Sequence, residues 1–162
     1  MGDIFIYPTD TAYALGCAYD DKKSISRILK IKKRQDKKFT IIASSLAQAK
    51  KFFKLNSYQI KLARKYWPGP LSIVVSNKYA IRVPASLVAR DLARRIGKPI
   101  IATSANISGQ GEKYSCPKLS GVNFFINAGK LKKNKPSTII DCRDGEIKIM
   151  IIRQGAIKIK KT

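Results

Sequence analysis

Short β-branched runs, most of them cut off by proline, serine or asparagine, recur along the whole chain and decide what it can fold into. They read GDIFIYP at 2–8, FTIIAS at 39–44, LSIVVS at 71–76, AIRVP at 80–84, PIIATS at 99–104, VNFFIN at 122–127, STIID at 137–141 and IKIMIIR at 147–153. Apolar runs of this length bounded by turn formers are strand signals. LSIVVS and AIRVP join through a tight connection at Asn77. Between the strands lie stretches with helical spacing. In 22–33, Ile25, Ile28, Leu29 and Ile31 recur at helical intervals, with Ser24 placed as N-cap. Ser45 is placed to cap a helix through Phe53, and Ser57 one through Tyr66 that stops at Pro68-Gly69-Pro70. Residues 86–96 predict an amphipathic helix with Leu87, Val88, Leu92 and Ile96 inward and Gly97 at its end. Helices and strands mingle without strict βαβ alternation. The expected fold class is therefore α/β (α+β) around one mixed sheet. No repeat or linker interrupts the pattern, so one domain over 1–162 is expected.

The stretch KIKKRQDKKF, residues 30–39, carries six cations against one acid, and the whole chain has a net charge of +23. Such a field attracts polyanions: nucleotides, RNA or anionic lipid. A lysine-rich codon preference produces the same surplus with no partner at all, so composition leaves both readings open. There is no histidine. That excludes a Ser-His-Asp triad, a Cys-His dyad and H-E-x-x-H zinc chemistry. Cys17, Cys116 and Cys142 are odd in number and widely spaced, which predicts reduced thiols. No apolar run approaches the ~18–20 residues of a membrane span, and no signal-peptide pattern opens the chain. A cytoplasmic location without a membrane partner is the expectation.

Four polar stretches stand at strand ends, where open sheets tend to hold ligands. In PTDT, Pro8 to Thr11, small hydroxyl and acidic residues follow the first strand; the Thr hydroxyls and turn amides suit a small polar substrate, and the same stretch also reads as an ordinary Asx/ST turn. Lys32 and Arg34 follow a helix and Lys38 precedes a strand, a junction suited to phosphate, or else a solvated helix face. In ATSANISG, 102–109, Ser104, Asn106 and Ser108 stand in a loop beside Gly109 and could cradle an oxyanion or phosphate. It is not a Walker-type loop. Ser137-Thr138, with Arg153 and Gly155, completes the set, while Trp67 in WPGP reads as core.

Taken together these residues resemble the YrdC/TsaC family, the threonylcarbamoyl-AMP synthases. The matching stretches are PTDTAYALG (8–16), KKRQDKKF (32–39), YWPGPLSIVV (66–75), IRVPAS (81–86), PIIATSANISG (99–109), PSTIID (136–141) and IIRQG (151–155), in the family's order and over nearly the whole chain. The resemblance implies a YrdC-like twisted mixed β-sheet with flanking helices around a deep positively charged cavity. It implies a nucleotidyltransferase that makes threonylcarbamoyl-AMP and pyrophosphate from L-threonine, bicarbonate and ATP, with Mg²⁺ accompanying ATP. Partner proteins would then transfer the threonylcarbamoyl group to tRNA. The family's K-x-R and S-x-N motifs match Lys32, Arg34, Ser104 and Asn106, which would be catalytic. Thr11 would help hold threonine, with Arg82 near it and Ser137 near its carboxylate. Lys32, Arg34 and Lys38 would meet the ATP phosphates, Thr103, Ser104 and Asn106 would line the nucleotide and reaction centre, and Arg153 would contact the nucleotide.

The chain departs from the family's usual pattern at Ala12 and Ala14, where valine and glycine are common, and at Gln35, where proline is common. Only seven residues precede Pro8, so the family's leading helix is expected to be missing or truncated, and the short single-domain form is expected. The alternative reading is a double-stranded RNA or tRNA-binding module of the same fold without catalysis, since such RNA is recognised mainly by shape and backbone.

Overall fold

The computed structural model describes residues 2–159. Its strands are β1 (Phe5–Pro8), β2 (Tyr13–Gly16), β3 (Phe39–Ile42), β4 (Leu71–Val74), β5 (Tyr79–Arg82), β6 (Ile100–Ser104), β7 (Phe124–Phe125), β8 (Thr138–Asp141) and β9 (Met150–Arg153). They form one mixed sheet in the order β7-β1-β2-β6-β3-β5-β4-β8-β9. The helices are α1 (Lys22–Lys32), α2 (Leu46–Phe52), α3 (Ser57–Tyr66) and α4 (Leu87–Ile96). The α/β class and the mixed sheet expected from the sequence are what the chain forms. None of these helices is long and apolar enough to cross a membrane.

Strand alternation divides the sheet into two unlike faces. One carries Tyr13, Leu15, Ile41, Ile81 and Ile101, packed against Ile28 of α1 and Ala49 of α2. Ile73 pairs with Ile81 and so lies on that same face, where it packs with Leu62 and Ala63 of α3. The other face carries Phe5, Tyr7, Ala14, Ile42 and Ile100, covered by Ala89 and Ala93 of α4. Beyond α4 this second face continues through Thr40, Ala80, Ala102 and Ser104, side chains too small to fill the space above them.

Several expectations need correction. The α1 N-cap is Asp21, whose side chain accepts from the Ser24 amide; Ser24 lies inside the helix. The Asp21 carboxylate satisfies the free Ser24 amide of the first turn three residues on, so the helix starts one turn earlier than a Ser24 cap would set it, and its charge also suits the positive helix terminus. Asn56, not Ser57, caps α3, in a reciprocal capping box with Gln59. On α4, Leu87 is 73% exposed, and Val88 is also exposed, whereas Ala89 and Ala93 are fully buried. Small side chains let the helix lie close on the sheet, and leucine at the contact would hold it away. β2 carries little strand signal of its own, since YALG is short and abuts the PTDT turn. VNFFIN shrinks to two paired residues, with Phe124 and Phe125 exposed at the sheet edge.

Trp67 is half-buried and donates from Nε1 to the Leu71 carbonyl at 2.7 Å. The three cysteines are unpaired, with Cys17 and Cys142 buried. Gly16 has a specific reason to be glycine: a Cβ there would sit 2.1 Å from the Ile101 carbonyl oxygen. The close approach of β2 to β6 depends on that missing atom.

Candidate functional site

The small side chains left uncovered by α4 form the floor of a cavity of about 540 Å³. Thr40, Ala80, Ala102 and Ser104 contribute to it, with Ala14 at the margin of the α4 contact, and polar groups rise around them from strand ends. Among its charged lining residues are Arg34, Lys38, Lys78, Arg82, Arg143 and Arg153, with Glu112 and Asp141 as the acids.

The turn Thr9–Ala12 forms one wall. Thr9 Oγ1 donates to the Ala12 carbonyl at 2.7 Å and accepts from the Thr11 and Ala12 amides. It also lies 3.0 Å from Thr11 Oγ1. The plain turn and the binding wall are thus the same object: local hydrogen bonds set the loop, and the loop sets Thr11 at the cavity. Arg82, at the end of β5, is buried with Asp10 as its partner, Nη1 to Oδ1 at 2.7 Å. Its Nη2 reaches Thr11 Oγ1 at 3.4 Å.

Arg34 and Lys38 both line the cavity. Arg34 donates to Asp36 at 3.0 Å and to the Lys38 carbonyl at 2.6 Å, with its guanidinium over the Phe39 ring. Asp36 also accepts from the Lys38 amide at 3.0 Å. This amide bond and the Arg34 guanidinium hold the Asp36 carboxyl below the usual range.

Lys32 is arranged differently. It is buried at the end of α1, and its Nζ lies 2.7 Å from the Ser104 carbonyl, 3.0 Å from the Asn106 carbonyl, 2.9 Å from Asn106 Oδ1 and 3.3 Å from Ser104 Oγ. An ammonium has three N–H donors, and all are taken by protein oxygens. Lys32 and Asn106 therefore stand behind the cavity wall and reach it through Ser104, which lines it. Ser104 Oγ donates to Asn106 Oδ1 at 2.8 Å. Asn106 Nδ2 in turn donates to the carbonyls of Gln110 and Gly111, fixing the loop. Burial, and next the nearby Arg34 charge, push the Lys32 ammonium down to a pKa of about 8. Thr103 is buried and lines the cavity beside Ser104.

At the far side Ser137 is buried, 3.1 Å from Ser72 Oγ. Arg153 donates to the Ser137 carbonyl at 3.0 Å and to its Oγ at 2.9 Å. Burial lowers the Arg153 pKa from its ordinary value, yet arginine remains charged in any case. Arg143 bridges Asp141 and Asn77 at 2.7 Å each, clasping the β4–β5 and β8–β9 connections at one end.

The cavity thus gathers Thr11, Arg34, Lys38, Arg82, Thr103, Ser104, Ser137 and Arg153, with Lys32 and Asn106 one layer behind. Sequence reasoning missed Asp10, Asn77, Asp141 and Arg143. The signal for the floor was present as single small residues within the strand runs, Ala14 in YALG, Thr40 in FTII, Ala80 in AIRVP, and Ala102 and Ser104 at alternate positions in IIATS. Among the described residues, no cluster of three or more acid, histidine or cysteine side chains could hold a metal.

Comparison with known proteins fits this geometry. A family model for Sua5, YciO and YrdC, described as telomere recombination, matches residues 1–155. A protein of Methanocaldococcus jannaschii provisionally named threonylcarbamoyl-AMP synthase is 32% identical over 99% of this chain and 83% of its own length. The crystal structure of P. abyssi Sua5 complexed with L-threonine superposes with a TM-score of 0.84 at 29% identity. It covers 94% of this chain, while this chain spans only 50% of that one. E. coli YciO superposes with a TM-score of 0.82 at 26% identity, covering 99% of this chain and 86% of that one.

Proposed function

The chain belongs to the Sua5/YciO/YrdC family, and from that premise we propose that it is an L-threonylcarbamoyladenylate synthase. In this reading the threonine amine and bicarbonate form N-carboxy-threonine, an N–C bond made as a C–O bond of bicarbonate breaks and water leaves. A carbamate oxygen attacks the α-phosphorus of ATP, the bond from that phosphorus to the bridging oxygen breaks, and pyrophosphate leaves. The product is threonylcarbamoyl-AMP, which partner proteins would use to modify tRNA.

The observation that carries the reading is that one cavity holds two kinds of anion receptor. Thr11, Arg82 and Ser137 suit a hydroxy amino acid with its carboxylate, whereas Arg34, Lys38 and Arg153 suit a polyphosphate. No proton shuttle is required, because the attacking carbamate is already anionic. Orientation and neutralisation of charge on the leaving pyrophosphate carry the step. Ser104 and Thr103 would lie at the reacting centre, and Lys32 would act through its hold on Ser104 and Asn106. Mg²⁺ would enter with the triphosphate as part of the substrate.

The test is pyrophosphate release from ATP by purified protein in bicarbonate, with and without L-threonine. Threonine-dependent release is expected, and Arg34→Ala or Lys32→Ala should abolish it while the protein stays folded. Removing one well-placed donor of this kind costs on the order of 10²-fold in rate. No threonine-dependent release, with salt-sensitive RNA binding in its place, would favour the RNA-binding module.

A further inference from the structure

We propose that Asp10 is a positioning residue that reserves the Arg82 end of the cavity for an amino-acid carboxylate and keeps phosphate out of it; this rests on the reading just given. Arg82 is 4% exposed, so its charge must be paired within the protein. Asp10 supplies that pair at 2.7 Å, and its second carboxylate oxygen accepts from the Ala85 amide at 3.0 Å. Its backbone carbonyl accepts from Asn134 Nδ2 at 3.0 Å. One residue therefore ties the PTDT turn, the β5–α4 connection and the segment carrying Asn134 around a single guanidinium.

Asp10 is not among the residues lining the cavity, whereas Arg82 and Thr11 are. It would touch no substrate and would act through Arg82. Two consequences follow from its placement. With Nη1 committed to Asp10, the fork cannot swing, and its Nη2 edge stays beside Thr11. The pair is also formally neutral and largely dry. A carboxylate brings one charge to such a fork, whereas a phosphate dianion brings two and is repelled by Asp10 correspondingly more. Arg34 differs: its pairing with Asp36 is solvent-exposed and therefore screened, which leaves that end open to polyphosphate. The two anions are thus sorted by what stands behind each arginine.

The experiment compares Asp10→Asn and Asp10→Glu with the native protein in threonine-dependent pyrophosphate release, with inorganic phosphate as the probe. For Asp10→Asn the KM for threonine should rise about tenfold or more, as expected when a binding group loses its orientation. The KM for ATP should stay within about twofold of native. Phosphate should become a competitive inhibitor against threonine, which it is not for the native enzyme. Asp10→Glu keeps the charge but displaces the fork; it should raise the threonine KM without admitting phosphate. A merely structural role would lower the amount of active protein and leave these patterns alone. If Asp10→Asn keeps the native threonine KM, or gains no phosphate competition, the inference fails while the function stands. If Asp10→Asn does not fold, Asp10→Glu decides, and a native threonine KM there overturns the inference. If native protein shows no threonine-dependent release, both readings fall together.

Discussion

Replacing Gly155 with alanine should separate site geometry from overall folding. Gly155 follows β9 and lies against the segment that presents Ser137. A Cβ at this position would sit 2.2 Å from the Pro136 carbonyl oxygen and 2.6 Å from the Ser137 carbonyl carbon. Both are backbone atoms and cannot swing aside. Restoring ordinary contact requires the two segments to part by about 1 Å. The atoms that move carry the Ala156 amide bond to Pro136, the Gly155 amide bond to Thr138 Oγ1 and both Arg153 bonds to Ser137. Overpacking of this kind costs about 1–3 kcal/mol. For a chain of this size that lowers Tm by roughly 2–12 °C. A displacement of about 1 Å at a positioning group costs up to about 10²-fold in rate. Threonine-dependent pyrophosphate release should therefore fall by roughly 10- to 100-fold at temperatures where circular dichroism shows the variant still folded. Gly111→Ala, where nothing lies within 4 Å of the added atom, serves as the neutral control. A Gly155→Ala protein that melts and turns over like the native one would refute the claim that this contact sets Arg153 on Ser137.

Gly16→Ala places a Cβ 2.1 Å from the Ile101 carbonyl inside the sheet, so it should yield mainly insoluble protein or a large loss of Tm, read by expression and thermal melting. Titration of Lys32 gives a prediction with two opposite signs. Its ammonium has a pKa of about 8 when folded against 10.5 ordinarily, so between those values the unfolded chain holds a proton the folded one has lost, and stability rises with pH. Over the same range activity should fall as Lys32 loses its charge and one of the three N–H donors that hold Ser104 and Asn106. Thermal melts from pH 8 to 10.5 should show the rise in native protein and not in Lys32→Met, and equal slopes in the two would sink the assignment.

The motif segments were legible because each is a strand end, where chain direction and polarity change together. PIIATSANISG announces a buried strand and then the loop that Lys32 holds. The cavity floor was harder to read, because its residues are small and alternate with large ones. Ala80 beside Ile81 looks like a weak strand until the uncovered face is known. α4 illustrates the converse: its apolar residues Leu87 and Val88 suggested burial, but the close sheet contact selected Ala89 and Ala93. Asp10 could not be recognised as the partner of Arg82, since 71 residues of chain separate them and only the sheet order brings them together. The caps of α1 and α3 fall one to three residues before the serines the sequence suggests, because Asp21 and Asn56 are equally good cap residues and each starts its helix earlier.

The departures from the usual family motifs fall where this structure tolerates them. The Thr9–Ala12 turn is held by Thr9 Oγ1 and by main-chain groups, so the side chain at Ala12 has no part in closing it. Ala14 pairs with Ser104 and packs toward α4 on the face already made of small residues, where one methyl group leaves the hollow open. Gln35 lacks the fixed φ that proline would bring to the connection after α1. That connection is secured instead by Lys33 in the left-handed region at φ 51, by the Arg34 amide on the Leu29 carbonyl, and by Asp36 on Arg34 and the Lys38 amide. Rigidity that proline would supply through the backbone is supplied here by a carboxylate. The same carboxylate holds Arg34 at the cavity, so ordering this connection and presenting its cation are one physical act.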